Sequence, residues 1–176
     1  MARTEILISG FGGQGVIRIG QILGLAGVLS GLHATMLKSH GTETRGGYVR
    51  AQVVLSDEEI DSPVTDDPDI FIAMSKAAYQ RFYTLVSDKG TIVYDPAYVQ
   101  PDEGSPARHI AEPARDLAVS NFGREIFANM IIYGRIIRLL DGKIDHETAQ
   151  NALRQIIPRY IEDNLRAFDI GFEDLT

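Results

Sequence analysis

The sequence contains no cysteine. Disulfides, thiolate catalysis, zinc–cysteine sites and iron–sulfur ligation by this chain are therefore excluded. If electrons pass through an assembly containing it, another chain must carry the cluster. Long hydrophobic runs are absent as well, and no stretch approaches the length of a membrane span. The first residues, Met1-Ala2-Arg3-Thr4-Glu5, enter a short apolar stretch broken by glycines. A signal peptide needs a longer apolar region and a cleavage site, so a cytoplasmic location is expected. Basic residues are outnumbered, 17 against 24 acids, for a net charge of −7. That balance argues against a general nucleic-acid binder, which carries a basic face. There is no internal repeat and no low-complexity tract.

The 176 residues are 44% hydrophobic, enough for a buried core, and are read as one domain, 1–176. The most informative stretch is Ile6-Leu7-Ile8-Ser9-Gly10-Phe11-Gly12-Gly13-Gln14-Gly15-Val16. Gly10, Gly12 and Gly15 fit the spacing G-x-G-x-x-G between an apolar strand and a helical pattern. In such a unit one glycine makes the tight turn, one admits a bound group close to backbone, and one lets helix and strand pack closely. The helix start then offers free N–H groups and a positive dipole end to an anion. A tight connection that binds nothing fits the same residues.

Further along, strands alternate with helices. Strand patterns cover 5–9, 34–37, 48–55, 69–74 and 90–94, with a short edge strand at 108–110. Ile60 to Val64 is either a return strand or an extended arm, and as a strand it makes the sheet mixed. Helix patterns cover 14–30, then a segment capped by Ser75, then a short helix beginning near Pro113. Arg124 to Leu140 forms a long helix, apolar around much of its circumference. Asp145 caps the next helix, to Ile157, and a last one runs from Pro158 to about Phe168, with Gly171 marking its end. Gly20, Gly24 and Gly27 weaken the first helix by about 1 kcal/mol each relative to Ala. Close packing of the sheet, or of a partner subunit, explains such a cost. The fold class is a three-layer Rossmann-like α/β/α arrangement, its sheet mixed but mostly parallel, with a helical C-terminal layer.

An ordinary NAD site needs an acid near the end of the second strand. Lys38-Ser39-His40 stands there instead, and the first acid, Glu43, lies beyond a glycine. Lys38 is either a phosphate contact, as for NADP or coenzyme A, or merely a solvated lysine. Ser39 and His40 are adjacent in an extended segment and so point in opposite directions, which spoils them as a nucleophile–base pair. His33, His109 and His146 have no metal-ligand spacing, and no carboxylates pair as an acid–base couple. Arg45 can clamp a carboxylate or phosphate, or brace its loop with Glu43. No catalytic residue and no metal ligand is assigned to the chain.

Two loops together carry a resemblance. Gly10-Phe11-Gly12-Gly13-Gln14-Gly15, followed by Ser39-His40-Gly41-Thr42-Glu43-Thr44-Arg45-Gly46-Gly47, resembles the gamma subunit of the 2-oxoacid:ferredoxin oxidoreductases. Asp66-Asp67-Pro68-Asp69, Asn129 to Gly134, and Asn164 to Gly171 are similar to that family as well. The resemblance implies an accessory subunit, inactive alone, of an enzyme that converts a 2-oxoacid and coenzyme A to acyl-coenzyme A and CO2. Thiamine diphosphate, Mg and iron–sulfur clusters then sit in alpha, beta or delta partner subunits, and electrons leave to ferredoxin. Membrane and nucleic-acid partners are not expected. His40 and Thr42 stand where many relatives carry other residues, which leans towards 2-oxoglutarate or a branched-chain substrate. The residues placed on a coenzyme A path or a subunit interface are Gly10, Gly12, Gly13, Gln14, Gly15, Lys38, Thr42, Glu43 and Arg45. Two other readings stay open: a free-standing NADP- or coenzyme A-binding protein, and a purely structural scaffold.

Overall fold

The computed structural model describes residues 3–40 and 47–173, with only the backbone of His40. Thr42, Glu43 and Arg45 lie outside the described residues. Six strands, β1 (Arg3–Gly10), β2 (His33–His40), β3 (Val49–Ser56), β4 (Ile70–Ala73), β5 (Thr91–Tyr94) and β6 (Arg108–Ala111), form one sheet in the order β2-β3-β1-β4-β5-β6. β3 runs antiparallel to both β2 and β1, while β1, β4, β5 and β6 are mutually parallel. The expected mixed, mostly parallel sheet is present, but its antiparallel member is β3 itself. β2 and β3 are neighbours joined through the second loop, and that puts β3 between β1 and β2. Ile60 to Val64 forms no strand. It is an arm held by the Arg3 guanidinium, which donates to the Ser62 and Val64 carbonyls at 2.7 and 2.8 Å.

The helices are α1 (Val16–Leu29), α2 (Lys76–Phe82), α3 (Ala114–Phe122), α4 (Ala128–Leu139), α5 (His146–Ile156) and α6 (Ile161–Phe172). One face of the sheet carries α1, α3, α4, α5 and α6 around a core that includes Ile8, Ile19, Val53, Ile72 and Ile137. The other carries α2, with Leu7, Phe71, Tyr79, Phe82 and Ile92. The C-terminal helices thus share a layer with α1, and the layers are unequal. Ser75 and Asp145 cap α2 and α5, accepting from Ala78 N and Thr148 N.

Three sequence expectations are corrected. β2 continues through Lys38, Ser39 and His40, because each finds a pairing partner on β3. The helix expected from Arg124 is broken at its start into a 3₁₀ turn, Glu125–Phe127, ahead of α4. Gly171 lies inside α6, not after it, because the backbone of α4 at Ile131 leaves no room there for a Cβ. The glycines of α1 divide. Gly20 faces Met36 and Ala51, and Gly27 faces Leu55 and Ala34, so the sheet explains both. A side chain at Gly24 would meet nothing within 4 Å.

Candidate functional site

After β1 the chain leaves for α1 on one face of the sheet; after β4 it leaves for α2 on the other. The carboxyl ends of these two adjacent parallel strands therefore open a crevice, the usual ligand position in such folds. The glycine turn sits on it. Gly13 and Gly15 have φ of 93° and 83°, values that side chains disfavour, so these two glycines are required by the backbone itself. Gln14 is a brace: its Oε1 accepts from Phe11 N at 2.9 Å, and its Nε2 donates across the crevice to the Met74 carbonyl at 2.7 Å. Gly10 lies under that side chain, in contact with Gln14 and Met74. α1 begins at Gly15 with no side-chain cap and no acid in its first turn, so its dipole end is uncompensated.

The turn has two flanks. Towards α4 lies a cleft of about 340 Å³, whose lining includes Phe11, Asp95, Tyr98, Arg115, Glu125 and Asn129. Asn129 reaches from α4 against Gly15, and its Oδ1 is buried without a hydrogen-bond partner. Asp95 follows β5 directly and is buried, accepting from Ala97 N and Arg115 N, each at 2.9 Å. Burial pushes its carboxyl above the usual range, and the two N–H donors pull part of the way back. Arg115 is held by Glu125 across the mouth at 3.0 Å. Towards β3 lies a shallower groove of about 330 Å³, lined by the turn with Val16, Ile17, Arg18 and Val49. Among the described residues its lining includes Arg18 and no acid.

The sheet also brings the two sequence loops together. Gly10 pairs with Val49, and Val49 pairs with His40 on its other side. The second loop therefore starts two strand spacings from the glycine turn, about 10 Å away. Lys38 is exposed on β2 opposite Ala51 and lines neither cavity. Asp95, Arg115, Glu125 and Arg18 were not singled out from the sequence as site residues. The available signal for Asp95 was an acid placed directly after an apolar strand, since parallel strands deliver such residues to one edge.

A raised carboxyl makes a signed prediction. The folded state holds the Asp95 proton more tightly than the unfolded chain does, so its stabilising effect is full below the unfolded value. That effect is lost as pH rises through the folded value. Asp95→Asn keeps one good acceptor and leaves one N–H unpaired. Wild type should exceed the variant by about 1 kcal/mol in acid. The gap should narrow towards neutrality in urea titrations; a gap that widens with pH would contradict the assignment.

Over residues 5–174 the sequence matches the family described as pyruvate ferredoxin/flavodoxin oxidoreductase. The chain belongs to that family. The 2-oxoglutarate synthase subunit KorC of Methanothermobacter marburgensis is 40% identical, the match covering 97% of this chain and 96% of that one. The keto/oxoacid ferredoxin oxidoreductase gamma subunit of Geobacter sulfurreducens PCA superposes with a TM-score of 0.84 at 29% identity, covering 96% of both chains. The 2-oxoglutarate:ferredoxin oxidoreductase of Magnetococcus marinus, solved with 2-oxoglutarate, coenzyme A and succinyl-CoA bound, superposes at 0.86 and 26% identity. There this chain corresponds to 31% of a longer polypeptide. As a gamma-type member of the pyruvate ferredoxin/flavodoxin oxidoreductase family, it is one subunit of a multi-subunit oxidoreductase, and the cofactors of such enzymes generally reside in partner subunits. Among its described residues no group of three or more His, Asp or Glu is placed to hold a metal ion, and no helix is long and apolar enough to cross a membrane.

Proposed function

We propose that this chain is the gamma subunit of a 2-oxoglutarate:ferredoxin oxidoreductase, bound to alpha and beta subunits that hold thiamine diphosphate, Mg and the iron–sulfur clusters. Its glycine turn lies on the coenzyme A path. The observation that carries the substrate assignment is the full-length similarity to a 2-oxoglutarate synthase subunit. In the purified complex, ferredoxin reduction should show a higher kcat/KM with 2-oxoglutarate than with pyruvate or a branched-chain oxoacid. The reverse order would overturn the assignment.

The residues present fit part of coenzyme A. The cleft sets Asp95 and Glu125 against Arg115, a poor balance for phosphate groups. The β3-side groove combines Arg18 with the uncapped start of α1, and an anion suits it better. Bound coenzyme A would supply the thiol that accepts the acyl group. Thr42, Glu43 and Arg45, which lie outside the described residues, are assigned to the same path or to the subunit interface; Lys38 is assigned to the interface. Gly12 offers a clean test, because a side chain there would meet none of the described residues within 4 Å. Gly12→Val should leave thermal stability unchanged while raising the KM for coenzyme A about tenfold, the cost of about 1.4 kcal/mol of lost contact. An unchanged KM together with weakened subunit association would instead make the turn an interface element.

A further inference from the structure

On the face of the sheet opposite α1, Phe82 is buried and two arginines share its ring. The Cζ of Arg50, on β3, lies 5.6 Å from the ring centroid, and that of Arg81, on α2, lies 5.5 Å from it. Arg81 is exposed and donates from Nε to the Tyr48 hydroxyl at 3.2 Å. Arg50 is half-buried, and its Nε is buried with no hydrogen-bond partner among the described residues. Among the described residues, the arginines in ion pairs are Arg3, Arg115, Arg135 and Arg166; neither Arg50 nor Arg81 meets a carboxylate. In a chain of net charge −7, two guanidinium groups drawn to one ring, with no carboxylate paired to either among the described residues, concentrate positive charge at one place. Arg50 also lies in the strand row that joins Ser9 to Ser39, at the sheet edge where both glycine loops emerge.

We propose that Arg50 and Arg81 form a docking clamp for an acidic segment of a neighbouring subunit of the same enzyme. The inference rests on the gamma-subunit reading above. Charge complementarity selects the occupant. Guanidinium forks pair bidentately with carboxylates, and their stacking on Phe82 and the Tyr48 bond hold them ready for that contact.

The test uses the assembled complex, with the dissociation constant of this subunit measured by sedimentation at low and raised salt. Arg81→Glu should weaken association at least about tenfold, and Arg50→Glu with Arg81→Glu by about a hundredfold or more, with a shallower salt dependence than wild type. Because Arg50 packs on a core ring, Arg81→Glu alone, with an unchanged thermal midpoint, decides the matter if the double variant misfolds. Dissociation constants within twofold of wild type would overturn the clamp. So would normal association with a raised KM for coenzyme A, which would assign the arginines to a ligand phosphate. A wild-type chain that associates with no thiamine- or cluster-bearing subunit would remove the gamma-subunit reading itself.

Discussion

Gly171→Ala is expected to be the most damaging single methyl group that can be added to this chain. α4 and α6 cross with their backbones in contact. A Cβ at Gly171 would run into the Ile131 carbonyl oxygen and lie 3.1 Å from Arg135 N, and one at Gly134 would run into the Phe168 carbonyl oxygen. In each case the obstacle is helical backbone, which cannot rotate away as a side-chain end can. The two helices would have to separate, losing packing of the buried Ile131, Phe168 and Tyr133. A loss of about 3–5 kcal/mol is expected for either glycine, at or beyond the upper end for overpacked cores. Soluble yield and the urea midpoint would report it. Gly24→Ala is the control. It sits in a helix, faces open space, and should stabilise the chain by up to about 1 kcal/mol. A gain at Gly171 equal to that at Gly24 would show that helix propensity, not the crossing, governs both.

Glu112→Gln should be nearly as severe. Glu112 follows β6 directly and is buried; its Oε2 accepts from both Nε and Nη2 of Arg135, on α4, at 2.8 Å. The side chains are only 3% and 11% exposed. Removing the negative charge takes away the buried carboxylate that Arg135 Nε and Nη2 face in a low-dielectric site, at a cost of about 3–5 kcal/mol. Replacing both partners, as in Glu112→Leu with Arg135→Met, removes the buried pair together and should recover most of that loss. Thermal unfolding of the two single variants and the double variant would yield the coupling. If the double variant is as unstable as the sum of the singles, the pair is not what holds β6 to α4. The pair also positions the start of α3, which contributes Ala114 and Arg115 to the cleft, so the single variants should disturb the site as well as the fold.

Much of this protein was legible before its structure, because the informative signals are local. Period-2 and period-3.6 patterns marked the strands and helices. Ser75 and Asp145 announced their helix starts by residue type. The glycine spacing marked the β1–α1 turn, and the missing acid after the second strand turned the reading away from an ordinary NAD site. The pairing of the two glycine loops pointed to the family that residues 5–174 match.

What escaped was set by contacts between distant residues. The insertion of β3 between β1 and β2 depends on which strands find one another, and no period within a strand encodes that. Gly171 reads as a helix stop until α4 is known to press against it, and Gly20 and Gly27 differ from Gly24 only in what lies opposite. Asp95 is an ordinary turn residue in the sequence; burial beside Ala97 and Arg115 gives it a raised carboxyl. Arg50 and Arg81 are 31 positions apart and share a ring only because β3 brings Arg50 to Phe82 at the end of α2.

By itself, then, the sequence determined that the chain carries no cysteine chemistry, which segments are strand or helix, and which family it joins. Composition and nearest-neighbour geometry are written locally. The tertiary structure alone decided the strand order, the crevice between β1 and β4, the backbone-close crossing of α4 and α6, and the meeting of Arg50 and Arg81 on the Phe82 ring, since burial and electrostatic environment are properties of the assembled fold.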